Sequence, residues 1–273
     1  MSFLKKKYSL TTALAEKLRL TSLSSSGSKK GSVYAEEYVS DEEASARDSL
    51  SPSADEDAKF KREAKTKARY PVELDLSEVD GRLGTPLSFV GAGLRSETFM
   101  TVEFWIYTIG LYVEPSKTFS ALGKYAGCEA GTLHGNRDFC EDLIAMKDVT
   151  RVLRFVITLP GLKAGIVVSQ FDKVLLPKMK KKGKEDNYRF IMENMGKAKF
   201  KKGTKMLLTL GGDGTVTCIC DGEVLGSVTC QTLCRSIMEI YVGDSPVSED
   251  IKEKICNGLH ATVLQEEKKG EEE

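Results

Sequence analysis

One long segment with almost no charge constrains the fold of this chain more than any other feature. Residues 98–113 carry a single charged side chain, Glu103, among β-branched, aromatic and other apolar side chains. Such a composition favours a β-strand that is buried on both faces or nearly so. Glycines at positions 91 and 93 come just before this segment. We expect them to allow a tight turn there, so that a turn leads into a buried strand.

Arg95 and Tyr107 are the candidate binding residues. Arg95 opens the apolar segment, and Tyr107 lies twelve residues further along. A guanidinium at the end of an apolar strand is costly unless it meets an anion or several acceptors. Because strand side chains alternate, we expect Tyr107 to share a face with Trp105, and with Arg95 if no bulge intervenes. A cation and a phenol over an apolar floor suit an acid with an apolar tail. The alternative is a structural ion pair for Arg95 and a core position for Tyr107.

Charge is balanced over the whole chain but segregated along it. Lys+Arg and Asp+Glu number 40 each, so there is no global attraction to nucleic acid or to a membrane surface. The first part of the chain alternates between serine-rich basic and acidic blocks, which bury too little apolar surface to offset the entropy of ordering. We therefore expect residues 1–70 to be mostly disordered, residues 71–265 to form the folded domain, and residues 266–273 to be a charged disordered tail.

The N-terminal region bears on localisation. Residues 3–20 are basic and could form an amphipathic helix, as in an organellar transit peptide. Glu16 and the preference for Lys over Arg fit a plain basic tail equally well. No apolar core here is long enough for a secretory signal, and no segment offers the roughly twenty apolar residues of a membrane span. We expect neither secretion nor an integral membrane span; plastid, mitochondrion and cytoplasm remain open.

The cysteines and glycines indicate neither a metal nor another cofactor. Seven cysteines leave at least one unpaired, and we expect reduced thiols that pack as small apolar side chains. The spacing of Cys218 and Cys220, like that of Cys230 and Cys234, misses the usual zinc pattern, and the chain has only two histidines. The glycine cluster at residues 211–214 does not open a helix, so it does not predict a phosphate-binding loop.

The remaining pattern predicts an antiparallel sheet with helices. Residues 151–159 form a strong strand pattern, and residues 205–228 read as three strands joined by turns, one of which is Asp221-Gly222. Helices are predicted at about residues 138–147, 163–181, 185–196, 231–241 and 248–264. In the second of these helices, Pro177 should kink or end the helix. This order of strands and helices indicates an α+β layer architecture.

Four segments, in order and spacing, resemble the chalcone isomerase-like proteins. They are Gly91-Ala-Gly-Leu-Arg95, Tyr107-Thr-Ile-Gly-Leu-Tyr-Val-Glu114, Phe155-Val-Ile-Thr-Leu-Pro160 and Ile240-Tyr-Val-Gly-Asp-Ser-Pro-Val-Ser248. The resemblance runs from about residue 71 to residue 264. It implies an open-faced β-sandwich, in which a large antiparallel sheet and a layer of helices enclose a ligand cleft. Within the family, the chain is closer to the fatty-acid-binding members than to the true isomerases.

The resemblance also implies roles for single residues. Arg95 would face the cleft, where it would hold a phenolate in an isomerase or a carboxylate in a fatty-acid binder. Tyr107 stands where isomerases usually carry a threonine and where fatty-acid-binding members carry a tyrosine. Ile166, Ser169 and Lys173 stand where an isomerase carries its tyrosine, lysine and asparagine. Isoleucine cannot stabilise developing enolate charge, so the resemblance implies ligand binding without catalytic residues.

Three functions remain open on the sequence alone. The first is non-catalytic binding of a fatty acid or a similar apolar carboxylate, held by Arg95 and Tyr107. The second is a chalcone isomerase-type intramolecular lyase with a degenerate site. The third is a scaffold or interaction protein whose N-terminal region carries the function. Tyr107 and Ile166 favour the first function over the second. The sequence does not predict an oligomeric state.

Overall fold

The computed structural model describes residues 58–76, 86–99 and 101–272. Residues Lys61–Glu273 form one compact unit. The basic segment at residues 3–20, and most of the region that we predict to be disordered, lie outside the described residues.

A seven-stranded antiparallel sheet forms the core of this unit, and each of its strands pairs with the next along the chain. The strands are β3 (Glu73–Leu74), β4 (Leu87–Phe99), β5 (Val102–Val113), β6 (Arg151–Ile157), β7 (Lys205–Leu210), β8 (Thr215–Cys220) and β9 (Glu223–Thr229). Two short strands, β1 (Phe60–Arg62) and β2 (Arg69–Pro71), form a separate pair. At the predicted Asp221-Gly222 turn, both residues have positive φ, 46° and 89°. This backbone is the one that a two-residue hairpin with an Asp-Gly sequence adopts.

The described residues form six α-helices. They are α1 (Pro115–Leu122), α2 (Arg137–Ala145), α3 (Ala164–Lys181), α4 (Glu185–Gly196), α5 (Gln231–Val242) and α6 (Glu249–Glu272). An antiparallel sheet with helices between and after its strands is the α+β architecture that the sequence predicts, and this prediction is confirmed. Among the described helices, none is both long enough and apolar enough to cross a membrane.

Both faces of the sheet are covered, which accounts for the lack of charged side chains in the buried part of β5. On one face, Tyr241 of α5 packs against Phe155 of β6, with 6.1 Å between ring centroids. On the other face, Tyr70 of β2 is fully buried in a cluster with Tyr112. The Tyr70 hydroxyl donates a hydrogen bond to Thr108 Oγ1 on β5, 2.6 Å away. The segment before the sheet is therefore part of the core.

The glycines that precede Arg95 do not form the predicted turn. Gly91 and Gly93 lie within β4, and a Cβ atom at either position would come within 2.5 or 2.6 Å of backbone atoms of α6. On the helix side, a Cβ atom on Gly258 would lie 2.0 Å from the carbonyl oxygen of Val90. The missing side chains therefore allow the backbone of α6 to lie directly against β4.

Buried or helical residues lie just outside both of the predicted domain boundaries. Tyr70, with none of its surface exposed, precedes the expected start of the domain at residue 71. At the other end, α6 continues through the expected charged tail to Glu272. Glu and Lys are good helix formers, and Lys269 pairs with Glu266 at 2.6 Å, three residues apart on the helix. A charged sequence attached to an anchored helix thus prolongs that helix.

Of the two outcomes predicted for Pro177, a kink or an end of the helix, the end does not occur at this residue. Pro177 lies inside the helix, which continues to Lys181. Leu175 and Met179, on either side of the proline, are both fully buried. Their burial holds the last turns of α3 in place, so the lost backbone hydrogen bond does not end the helix.

Candidate ligand-binding site

Arg95 and Tyr107 lie directly opposite each other on neighbouring strands. The sequence predicts one strand that carries both residues, but β4 ends at Phe99 and β5 begins at Val102. Arg95 and Tyr107 are partners in the antiparallel register of these two strands. Residues that are directly opposed in an antiparallel pair project to the same face of the sheet. The two candidate residues therefore share a face, but through cross-strand pairing and not through spacing along one strand.

A bulge changes which other residues share this face. Immediately beyond Arg95 and Tyr107, the register shifts so that Ile106 has no partner and Trp105 takes part in the next pair. An extra residue reverses the alternation of side chains. Trp105 therefore projects to the face opposite Tyr107, against the prediction, and its indole N–H donates to Glu103, 3.2 Å away.

The two candidate residues face the helical layer. The ring of Tyr107 packs edge-on against Phe155, at 5.3 Å between centroids, and Phe155 contacts Tyr241 of α5. Tyr107 is 8% exposed and Tyr241 is fully buried. Arg95, Tyr107 and Tyr241 therefore lie between the sheet and the helices, where the family resemblance implies a ligand cleft.

The first turn of α6 is fixed to β4 beside Arg95. The backbone N–H of Leu94 donates to Asp250 Oδ2 at 2.7 Å, and Ser248 Oγ donates to the Leu94 carbonyl oxygen at 2.9 Å. Ser248 Oγ also accepts a hydrogen bond from the backbone N–H of Ile251, as an N-cap residue does. These bonds fix the backbone next to Arg95 relative to the helices.

Arg95 already has one carboxylate partner. Its Nη2 atom donates to Glu97 Oε1, and its Nη1 atom donates to the Ser96 carbonyl oxygen at 3.1 Å. The side chains of Arg95 and Glu97 are 22% and 14% exposed, so the ion pair is largely shielded from water. A guanidinium has five N–H donors. Arg95 therefore keeps donor capacity for a further acceptor, although Glu97 balances its charge.

The two phenols near Arg95 keep their protons. Burial raises the pKa of Tyr107, and the positive charge of Arg95 opposes that shift only in part. Burial also raises the pKa of Tyr241 well above its usual value, and the neighbouring Tyr107 adds to this effect. The Tyr241 hydroxyl is buried beside that of Tyr107, yet it makes no hydrogen bond of normal geometry with any described residue. The site therefore contains a buried phenolic O–H that is directed toward Tyr107 but is not in a hydrogen bond of normal geometry.

The three residues at the isomerase positions lie along one side of α3. Ser169 Oγ donates to the carbonyl oxygen of Ile166 on the same helix, at 2.7 Å. The ammonium of Lys173 is buried, has no hydrogen-bond partner among the described residues, and has its pKa lowered by burial. The buried apolar residues Phe171 and Leu175 lie on the other side of this helix. Ile166 and Ser169 thus offer no free polar group for enolate stabilisation.

Two residues of this site, Tyr241 and Glu97, were not predicted. Tyr241 belongs to the fourth segment of the family resemblance, but it meets Tyr107 only through the packing of α5 on the sheet. Glu97 could have been found from the sequence, because it lies two residues after Arg95 on a strand and so shares its face.

The cysteines form a separate feature. All seven are free thiols, and the described residues contain no group of three or more His, Cys, Asp or Glu side chains that could hold a metal ion. Cys140 of α2 lies beside Cys256 of α6, and a hydrogen bond from Cys256 lowers the pKa of the Cys140 thiol to about 7.

The chain is similar in sequence to two fatty-acid-binding proteins. It is 31% identical over 173 residues to fatty-acid-binding protein 2 of Arabidopsis thaliana. The matched segment covers 61% of this chain and 43% of that relative. It is 27% identical over 177 residues to fatty-acid-binding protein 1 of the same organism, and the matched segment covers 63% of this chain and 63% of that relative. The chain thus spans less than two thirds of the length of both relatives. No family model matches the chain.

The fold of the chain also matches that of a solved structure. The crystal structure of an Arabidopsis thaliana fatty-acid binding protein matches this chain with a TM-score of 0.61 and 21% identity, over 75% of this chain and 99% of that one. The resemblance to the chalcone isomerase-like family is confirmed. Both relatives are named as fatty-acid-binding proteins and not as isomerases. The open-faced arrangement of sheet and helices is likewise confirmed.

Proposed function

We propose that this chalcone isomerase-like protein binds a fatty acid, or a similar apolar carboxylate, between its sheet and its helices, and that it does so without catalysis. The observation that carries the proposal is the convergence of Arg95, Tyr107 and Tyr241 from three different elements. Arg95 would bind the ligand carboxylate, and the two phenols would donate hydrogen bonds to it. The names of the relatives support a fatty acid as the ligand.

The poorly paired hydroxyl of Tyr241 supports a ligand with acceptor oxygens. A buried hydroxyl without a partner costs about 1–3 kcal/mol. A carboxylate near Arg95 would remove this cost and would add charge-assisted hydrogen bonds. Because both phenols remain protonated at neutral pH, each has one O–H to donate.

The surroundings of Tyr107 suit the start of an alkyl chain. Its cross-strand partner on the other side, Ile157, is buried, and so is Phe155 beside it. Each buried methylene contributes about 0.8 kcal/mol before the costs of association are subtracted. Micromolar binding needs roughly 8 kcal/mol net, so a chain of about a dozen carbons with one ion pair is a reasonable size.

Native mass spectrometry of the purified full-length protein tests this proposal. We expect a bound mass that corresponds to a fatty acid, either carried through purification or acquired when dodecanoic acid is added. The Arg95→Ala variant, purified in parallel, should carry less of it. A protein that neither retains nor acquires a fatty acid would contradict the proposal.

A further inference from the structure

Glu97 creates a charge problem for any carboxylate that binds to Arg95. The two residues lie on the same side of β4, and their side chains already form a shielded ion pair. This pair is neutral. A ligand carboxylate would bring a second negative charge against a single guanidinium, in a place with little access to water.

Among the described residues, Arg95 is the only cation whose charge acts on Tyr107 or Tyr241. The buried ammonium of Lys173 on α3 has no hydrogen-bond partner among these residues, and its charge does not act on the two phenols. The charges that act on Tyr107 are those of Arg95 and Glu97, and both Tyr107 and Tyr241 are neutral phenols. From α6, the carboxylate of Asp250 faces the backbone of β4, where it accepts the N–H of Leu94. The Asp250 carboxylate therefore adds negative charge and does not compensate that of a ligand carboxylate. Glu103, which pairs with Lys65 on the partly exposed outer face, belongs to a different environment.

Two carboxylates that share one site cannot both be ionised without a large cost, and one of them takes up a proton. We propose that Glu97 and the ligand carboxylate share one proton when the ligand binds, so that binding at neutral pH takes up a proton from solvent. One O–H bond forms on a carboxylate oxygen, and no other covalent bond changes. This inference rests on the proposed function, since it requires that an acid bind at Arg95.

The sign of the resulting pH dependence follows from the shared proton. At neutral pH the separated partners are the Arg95–Glu97 ion pair and a fatty-acid carboxylate. In the complex, the pKa of the shared carboxyl is raised above that of the free group. The affinity of the protein for the acid is therefore greatest below that raised pKa and falls as the pH rises. Between the pKa of the free carboxyl and the raised pKa, the fall is up to about tenfold per pH unit.

Calorimetric titration of the full-length protein with dodecanoic acid at neutral pH, in two buffers with different heats of ionisation, measures the proton directly. We expect close to one proton to be taken up by the wild type and close to none by Glu97→Gln. The Glu97→Gln variant should also bind the acid more tightly at higher pH, with an affinity that varies little with pH. Glu103→Gln, which removes the same charge from the opposite face, should behave like the wild type.

Two further results separate this inference from the proposed function. If dodecanoic acid binds the wild type without proton uptake and with an affinity independent of pH, the inference of a shared proton is contradicted. The proposed function would still stand. If the wild type does not bind dodecanoic acid at any pH, the proposed function fails and the inference fails with it. If Glu97→Gln does not fold, the number of protons that the wild type takes up in the calorimetric titration still tests the inference.

Discussion

Arg95 on β4 and Tyr107 on β5 are cross-strand partners, and the register of the two strands shifts by one residue immediately beyond them. Directly opposed residues in an antiparallel pair have Cβ atoms about 4.5–5.5 Å apart. Both polar groups are thus positioned by the backbone of a sheet and not by loops. The bulge at Ile106 ends this arrangement, since it directs Trp105 to the opposite face. The geometry of the site therefore depends on a hairpin and on one extra residue.

The two tyrosines should respond differently to the loss of their hydroxyls. Tyr107→Phe should weaken acid binding by about 1–2 kcal/mol, because it removes one hydrogen bond and keeps the ring. Tyr241→Phe should also weaken acid binding, but it should leave stability unchanged or raise it by about 1 kcal/mol, because it removes a buried hydroxyl whose contact with Tyr107 is not of normal hydrogen-bond geometry. Ligand titration and urea unfolding of both variants measure the two effects. A clear loss of stability in Tyr241→Phe would show that its hydroxyl is satisfied in the folded protein.

The contact between α6 and β4 should tolerate no side chain at Gly258. A Cβ atom there would lie 2.0 Å from the Val90 carbonyl oxygen, so Gly258→Ala should destabilise the protein by about 1–3 kcal/mol or more. Gly270→Ala is the matched control on the same helix, because nothing lies within 4 Å of its added Cβ atom. The control should be neutral or slightly stabilising, since alanine favours a helix over glycine. Equal unfolding midpoints for the two variants would contradict this packing.

The start of the folded region should lie between residues 57 and 70. Deletion of residues 1–57 should leave the melting temperature nearly unchanged, because that stretch has the composition of a disordered segment. Tyr70→Ala should instead cost about 3–5 kcal/mol, as the loss of a large buried aromatic ring does. Tyr70→Phe, which loses only the bond to Thr108, should cost about 1 kcal/mol. The melting temperatures of the three proteins would locate the start of the folded region. A large decrease in the melting temperature of the deletion variant would show that the folded region begins closer to the N-terminus.

The protein should not accelerate the cyclisation of a chalcone. Ile166 stands where an isomerase carries a tyrosine, and the Ser169 hydroxyl is bonded to its own helix. Neither can stabilise the developing enolate charge. Absorbance of a trihydroxychalcone, followed with and without protein, measures the rate. A rate well above background that disappears in Arg95→Ala would restore the isomerase alternative.

Local patterns predicted much of the fold. The strands predicted at residues 205–228 were found because Asp221-Gly222 joins two alternating runs, and α4 and α5 lie where helices were predicted, at about residues 185–196 and 231–241. The hairpin between Phe99 and Val102 was missed because residues 98–101 contain no glycine, proline or asparagine to mark a turn. A nearly continuous apolar composition on both sides made the two strands look like one.

Long-range packing explains what the sequence could not predict at the site. The roles of Gly91 and Gly93 depend on where α6 lies, and the role of Tyr241 depends on how α5 packs on the sheet. No local pattern carries that information. Arg95 and Tyr107 were singled out correctly as neighbours on one face, although the reason given, even spacing along one strand, was wrong.

The most direct test of carboxylate capture compares dodecanoic acid with its methyl ester on the wild type and on Arg95→Ala. The ester keeps the alkyl chain and loses the charge that Arg95 would bind. We expect the wild type to bind the acid much more tightly than the ester, and Arg95→Ala to lose about 2–5 kcal/mol of acid binding but little ester binding. If the wild type binds acid and ester equally, Arg95 serves only its ion pair with Glu97, and the central claim is contradicted.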